Sequence, residues 1–155
     1  MIVLTADVDA KGRPVLTLFV AASVPRAAVL AAEGASAPPV EARALIDTGA
    51  SRTVVERSVL DQLGLDPVDE ELIYTASSGA TPHVAGVYAV QLFVAGVPQG
   101  LIDADLRVAE AENLRAALGV EVLLGQDVLR RCLLIQNGPE GRFTLALPAP
   151  HDRHD

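Results

Sequence analysis

Asp47-Thr48-Gly49 closes an apolar run, Ala44-Leu45-Ile46, and is followed by the small residues Ala50-Ser51. A carboxylate delivered by a buried strand onto such a turn is costly to hold unless a neighbour stabilises its charge or keeps it protonated. Such a site suggests chemistry. The triplet occurs once, so a reaction that needs two such carboxylates needs two chains. The plain alternative is an Asp that caps a turn at a strand end. A second piece, Leu123-Leu124-Gly125-Gln126-Asp127, repeats the apolar-apolar-small pattern. Gly125 suits a close backbone approach beneath the first piece. A side chain at Gln126 or Asp127 can cap the helix that begins there, and an ordinary helix N-terminus is the plain reading.

The elements that must position these pieces are mainly short strands and turns. Pro14 to Val20 is rich in β-branched and apolar residues and follows the turn Lys11-Gly12-Arg13. Residues 23 to 40 are rich in Ala, Pro and Ser and read as a long surface loop, with one turn of helix around Arg26 to Ala32. Val40 to Ile46 is the strand that delivers Asp47. Ser51 to Gly64 reads as a helix, with Val54, Val55, Leu60 and Leu63 on one face. Leu72 to Thr75 and Val84 to Ala95 are strands around a small-residue turn, Ala76 to Pro82. Tyr74 and Tyr88 are either a cross-strand pair bracing this hairpin or simple core residues. A further strand starts at Leu101. Ala109 to Leu118 reads as a short helix, Val120 to Leu124 as a strand and Val128 to Cys132 as another short helix. Leu133 to Gln136 and Phe143 to Leu147 form a last hairpin. One domain over residues 1–148 and a polar tail over 149–155 are expected.

Composition narrows the classes. With two Tyr, three Phe and no Trp, the chain lacks the aromatic platform that stacks single-stranded nucleic acid. Its formal charge of -8 makes it a poor candidate for phosphate-backbone binding, so no nucleic-acid partner is expected. Cys132 is the only cysteine and reads as a small buried hydrophobe. Asp103 and Asp105 share a strand face, but no His or Cys completes a ligand set, so a solvated edge is expected and no metal or other cofactor. His83 reads as an exposed loop residue or a substrate contact, His151 and His154 as tail residues, and Arg130-Arg131 as a solvated helix face. Met1 to Ala10 carries Asp7 and Asp9 rather than a cationic start, and no run reaches the roughly 18 apolar residues of a membrane span. A cytoplasmic protein with no membrane partner is the expectation.

Leu45-Ile46-Asp47-Thr48-Gly49-Ala50-Ser51, then a Gly-tipped hairpin, then Leu123-Leu124-Gly125-Gln126-Asp127-Val128-Leu129, in this order and spacing, resembles the retropepsin family of single-domain, retroviral-type aspartic proteases. The resemblance spans about residues 12 to 147. It implies an all-β, acid-protease-like closed barrel with one or two short helices, assembled as a homodimer. It implies an aspartic endopeptidase in which Asp47 of each subunit forms a proton-sharing dyad, Thr48 bonds across the dimer and Gly49 lets substrate backbone approach. Ala50 and Ser51 would line the substrate, a peptide or protein, and Ser77, Ser78 and Gly79 would form the flap tip above it. Gly125, Gln126 and Asp127 would support the loop.

Two departures from the family pattern stand out. Retroviral members commonly carry Asp at the Ser51 position and Arg at the Gln126 position, and those two pair. Here both charges are absent together, so neither is stranded. Pepsin-like relatives often carry Ser at the Ala50 position, where its hydroxyl stabilises the charged dyad. Ala50 therefore implies activity at mildly acidic to near-neutral pH. A second reading keeps the fold without proteolysis, as a dimerisation or peptide-binding module.

Overall fold

The computed structural model describes residues 1–73, 81–97 and 100–148. Alternation of apolar and polar residues sets most strands. In β3 (Val40–Ile46), Ala42, Ala44 and Ile46 are buried while Glu41 and Arg43 face water. In β6 (His83–Val94), Tyr88, Val90, Leu92 and Val94 point into the core, and Ala85 and Val87 are also buried. The remaining strands of this sheet are β2 (Val15–Ala22), β4 (Val54–Glu56), β5 (Asp69–Ile73), β7 (Leu101–Ala111) and β8 (Val122–Leu124).

The sheet runs β2-β3-β8-β4-β7-β6-β5, and β2 also pairs with β6. Six strands thus close into a barrel, and β5 extends β6 outside the ring as the first arm of an antiparallel hairpin. Closure removes the exposed edges that the ring would otherwise present. Leu18, Val20, Val55, Val90, Leu92, Val108, Val122 and Leu124 fill the interior. Phe19 and Phe93, neighbours across the β2–β6 pairing, stack with ring centroids 5.4 Å apart. A second, three-stranded sheet packs β1 (Ile2–Asp7), β10 (Arg142–Leu147) and β9 (Leu133–Asn137) in that order, and contributes Phe143 and Leu145 to the same core. This mostly β, closed-barrel architecture is the one the sequence led us to expect.

Several boundaries differ from expectation. The 23–40 segment is not one long loop with a single helical turn. It opens with the helix α1 (Val24–Ala32), capped by the Ser23 hydroxyl, which accepts the Arg26 N–H at 3.3 Å. The helix expected over Ser51 to Gly64 is instead strand β4 followed by α2 (Arg57–Gln62). The cause is the β-branched Thr53-Val54-Val55 stretch, which slots between β7 and β8. Ala109 to Ala111 likewise finishes β7, and α3 (Leu114–Leu118) begins only afterwards, its Arg115 N–H held by the buried Glu56 carboxylate at 3.1 Å. The helix α4 (Gln126–Leu129) starts two residues before the expected Val128. β5 begins three residues before the expected Leu72, and Tyr74 and Thr75 lie outside the described residues. β1 was not anticipated. Among the described residues no helix is long and apolar enough to cross a membrane.

Candidate active site

β3 and β8 run parallel and end side by side, Ile46 opposite Leu124. Each then releases a short loop, and the two loops are stitched together. The Asp47 N–H donates to the Leu124 carbonyl at 3.0 Å. The Gln126 N–H donates to the Ala50 carbonyl at 2.8 Å, and the Gln126 side-chain Nε2 donates to the Thr48 carbonyl at 2.9 Å. Within the first loop, the Gly49 N–H donates to Asp47 Oδ1 at 3.0 Å and the Ala50 N–H to the Asp47 carbonyl at 3.2 Å. Asp47 is half-buried at this surface, and Thr48, Gly49 and Ser51 are exposed. The carboxylate thus accepts one backbone hydrogen bond, from the Gly49 N–H, on a turn with little side-chain bulk.

Gly125 lies beneath that turn. A Cβ on it would sit 2.6 Å from the Arg52 carbonyl carbon and 2.9 Å from the Thr53 nitrogen, closer than atoms pack. Its need for a residue without a side chain is steric, as the sequence implied. Neither Gln126 nor Asp127 caps α4 as expected, because both lie in its first turn and Gly125 is the N-cap; Asp127 joins the loops instead. Its Oδ2 accepts the Thr53 N–H at 3.0 Å, and its Oδ1 accepts the Thr53 hydroxyl at 2.7 Å and the Val128 N–H at 2.9 Å. Thr53 is fully buried, and its hydroxyl also accepts the Gly125 N–H at 3.1 Å. Sequence reading missed Thr53. Its only signal is a hydroxyl residue opening an otherwise apolar β-branched run.

The β5–β6 hairpin is tied to the exit of the Asp47 loop and to β7. Arg52, at the exit of the Asp47 loop, forms an ion pair with Glu71 on β5. Glu110 on β7 accepts the Gly86 N–H at 2.9 Å and the Tyr88 hydroxyl at 3.0 Å. Burial, then the bond to Glu110 and its charge, push the Tyr88 phenol up from its usual range. Tyr88 therefore has a named partner, Glu110; the Tyr74 position, and the flap-tip residues Ser77, Ser78 and Gly79, lie outside the described residues.

The remaining candidates stand apart from the loops. His83 opens β6, exposed and opposite Ile73. Asp103 is not a free solvated edge: its Oδ2 accepts from Arg131 at 2.9 Å, which also takes Arg131 off the solvated helix face expected for it. Asp105 pairs with Arg107 at 2.6 Å. No cluster of three or more metal-ligating side chains occurs among the described residues. Cys132 is half-buried against the core, its thiol donating to the Val128 carbonyl at 3.4 Å, and burial raises its pKa. His151 and His154 lie outside the described residues.

Comparison with known proteins bears on the same loops. The gag-polyprotein putative aspartyl protease family matches residues 39–131, which hold both loops and the hairpin between them. A solved structure of a retropepsin-like aspartic protease from Rickettsia conorii superposes with a TM-score of 0.59 over 94% of this chain and 90% of that one, at 15% identity, which establishes the shared fold. No curated protein matches the chain.

Proposed function

The chain belongs to the family of gag-polyprotein putative aspartyl proteases, and from that premise we propose that it is an aspartic endopeptidase working as a homodimer. Each subunit contributes one Asp47, and the two carboxyls face each other across the symmetry axis. Two carboxylates at close range cannot both ionise, so the pair holds one proton. The ionised member takes a proton from a water molecule as that water attacks the scissile carbonyl. The protonated member hydrogen-bonds the carbonyl oxygen and stabilises the developing oxyanion. Thr48 links the two loops beneath the dyad, and the exposed Gly49 leaves room for an extended peptide. The β5–β6 hairpin covers that peptide. Ala50 and Ser51 line the neighbouring subsites.

The observation that carries this reading is how Asp47 is presented. It stands half-buried on a turn whose carbonyls and N–H groups at residues 47, 48, 50 and 53 are bonded to residues 124–127. Such anchoring holds a carboxylate in place without covering it, as a group that must meet both a twin and a substrate requires.

The test is cleavage of a diverse peptide pool from about pH 4 to 7.5 by wild type and Asp47→Asn. Cleavage by wild type that a statine-type inhibitor blocks and Asp47→Asn loses is the expected result. A demonstrably dimeric wild type that binds peptides but cuts none would instead identify a peptide-binding module.

A further inference from the structure

We propose that Gln126 is a positioning residue for Asp47 and acts through the single peptide group between Thr48 and Gly49. The inference rests on the proteolytic reading for its effect on turnover. The carbonyl of that peptide group accepts Gln126 Nε2 at 2.9 Å, and its N–H donates to Asp47 Oδ1 at 3.0 Å. A peptide unit is planar and trans, so fixing the direction of its C=O fixes the direction of its N–H. The amide of Gln126 therefore aims the donor that holds the catalytic carboxylate. A hydrogen bond on the carbonyl also polarises the group and strengthens the bond its N–H makes on the other side.

Among the described residues, no other side chain is placed to do this. Thr48 and Gly49 are exposed, and the turn lacks a large side chain that would pin the 48–49 peptide by packing. The Gln126 backbone N–H holds the Ala50 carbonyl at 2.8 Å, so one residue grips the loop on both sides of Gly49. The side chain must donate to a carbonyl, which an amide does at any pH and a carboxylate does only when protonated.

That difference supplies the test: steady-state kinetics of wild type, Gln126→Met and Gln126→Glu from about pH 3.5 to 7.5, with amide hydrogen exchange at Gly49 measured on each. Gln126→Met keeps the backbone bond to Ala50 and removes the side-chain donor. It is expected to lower kcat by about 10- to 100-fold with KM within about twofold. Gln126→Glu is expected to match it at neutral pH and to climb back toward wild type as the pH falls through about 4.3, where the carboxyl gains a proton to donate. The Gly49 amide exchanges faster in both variants at neutral pH. An unchanged kcat in Gln126→Met, or a Gln126→Glu to wild-type ratio flat with pH, overturns the proposal. If Gln126→Met is shown to be misfolded, the Gln126→Glu ratio decides. If wild type cuts no peptide, the proteolytic reading fails by itself. Gly49 exchange then decides the positioning role, with wild-type rates in both variants overturning it.

Discussion

Thr53 is fully buried with its hydroxyl bonded twice, to Asp127 at 2.7 Å and from Gly125 at 3.1 Å. Valine has the same shape without the oxygen, so Thr53→Val tests the bonds and not the packing. It leaves the buried Gly125 N–H with no acceptor and takes one of three donors from Asp127. A buried group left unpaired costs its full desolvation, so Thr53→Val is expected to lower stability by about 2–3 kcal/mol in urea unfolding. Thr53→Ser keeps the oxygen and loses a methyl, which costs about 1 kcal/mol. Should the valine variant prove as stable as the serine one, the hydroxyl is not what joins the two loops. The same residue marks how far the site was legible. Asp47 and Gly125 announce themselves, one as a charge where none is cheap, the other as a gap where a Cβ would strike the Arg52–Thr53 backbone. Thr53 and Asp127 are 74 residues apart, and neither is unusual in its own neighbourhood. Only the fold makes them a pair.

At the scale of elements, the placement of the β5–β6 hairpin depends on how β6 sits on β7. Glu110 binds β6 through the Gly86 N–H and the Tyr88 hydroxyl. The Tyr88 phenol is raised in the folded state by burial and by Glu110. A raised pKa means that this group's contribution is fully present below the unfolded phenol's value near 10 and is lost as the pH rises through the folded value. Tyr88→Phe is therefore expected to be less stable than wild type by about 1–2 kcal/mol at pH 7, with the gap closing above about pH 10. Urea midpoints of the two proteins between those limits measure it, and a gap that stays constant to pH 11 would contradict the assignment. Elements whose residues carry their own period were readable: β3, β6 and the β9–β10 hairpin fall where alternation and turn residues put them. The errors came where short apolar runs fit two periods. Val54 and Val55 suit a helix face as well as a strand, and only the gap between β7 and β8 decides for the strand. β1 pairs with β10, Ile2 against Leu147, and no local pattern reports a partner so distant. In α1 the signals were present, a Ser23 cap and Pro25 in the first turn, but the alanine- and proline-rich composition obscured them.

For the whole molecule, the decisive fact is that the chain holds one Asp-Thr-Gly loop. Its barrel is closed, and under the proposed function the reason for pairing two such barrels is the chemistry. If the proton-sharing pair is the catalyst, half of it is no catalyst, and a subunit with the Asp47→Asn substitution disables whichever partner it joins. Mixing makes this quantitative. With total protein constant and subunits exchanging freely, activity follows the square of the wild-type fraction. An equal mixture of wild type and Asp47→Asn then retains roughly one quarter of the wild-type rate, whereas chains that act singly retain roughly one half. Each chain carries a formal charge of -8, so two copies repel at low ionic strength, and exchange is best run near 0.15 M salt, where the screening length is about 8 Å. A quadratic curve places both Asp47 residues in one site. A straight line requires a site complete within one subunit, and with a single Asp-Thr-Gly loop per chain that site could not be a symmetric aspartyl dyad.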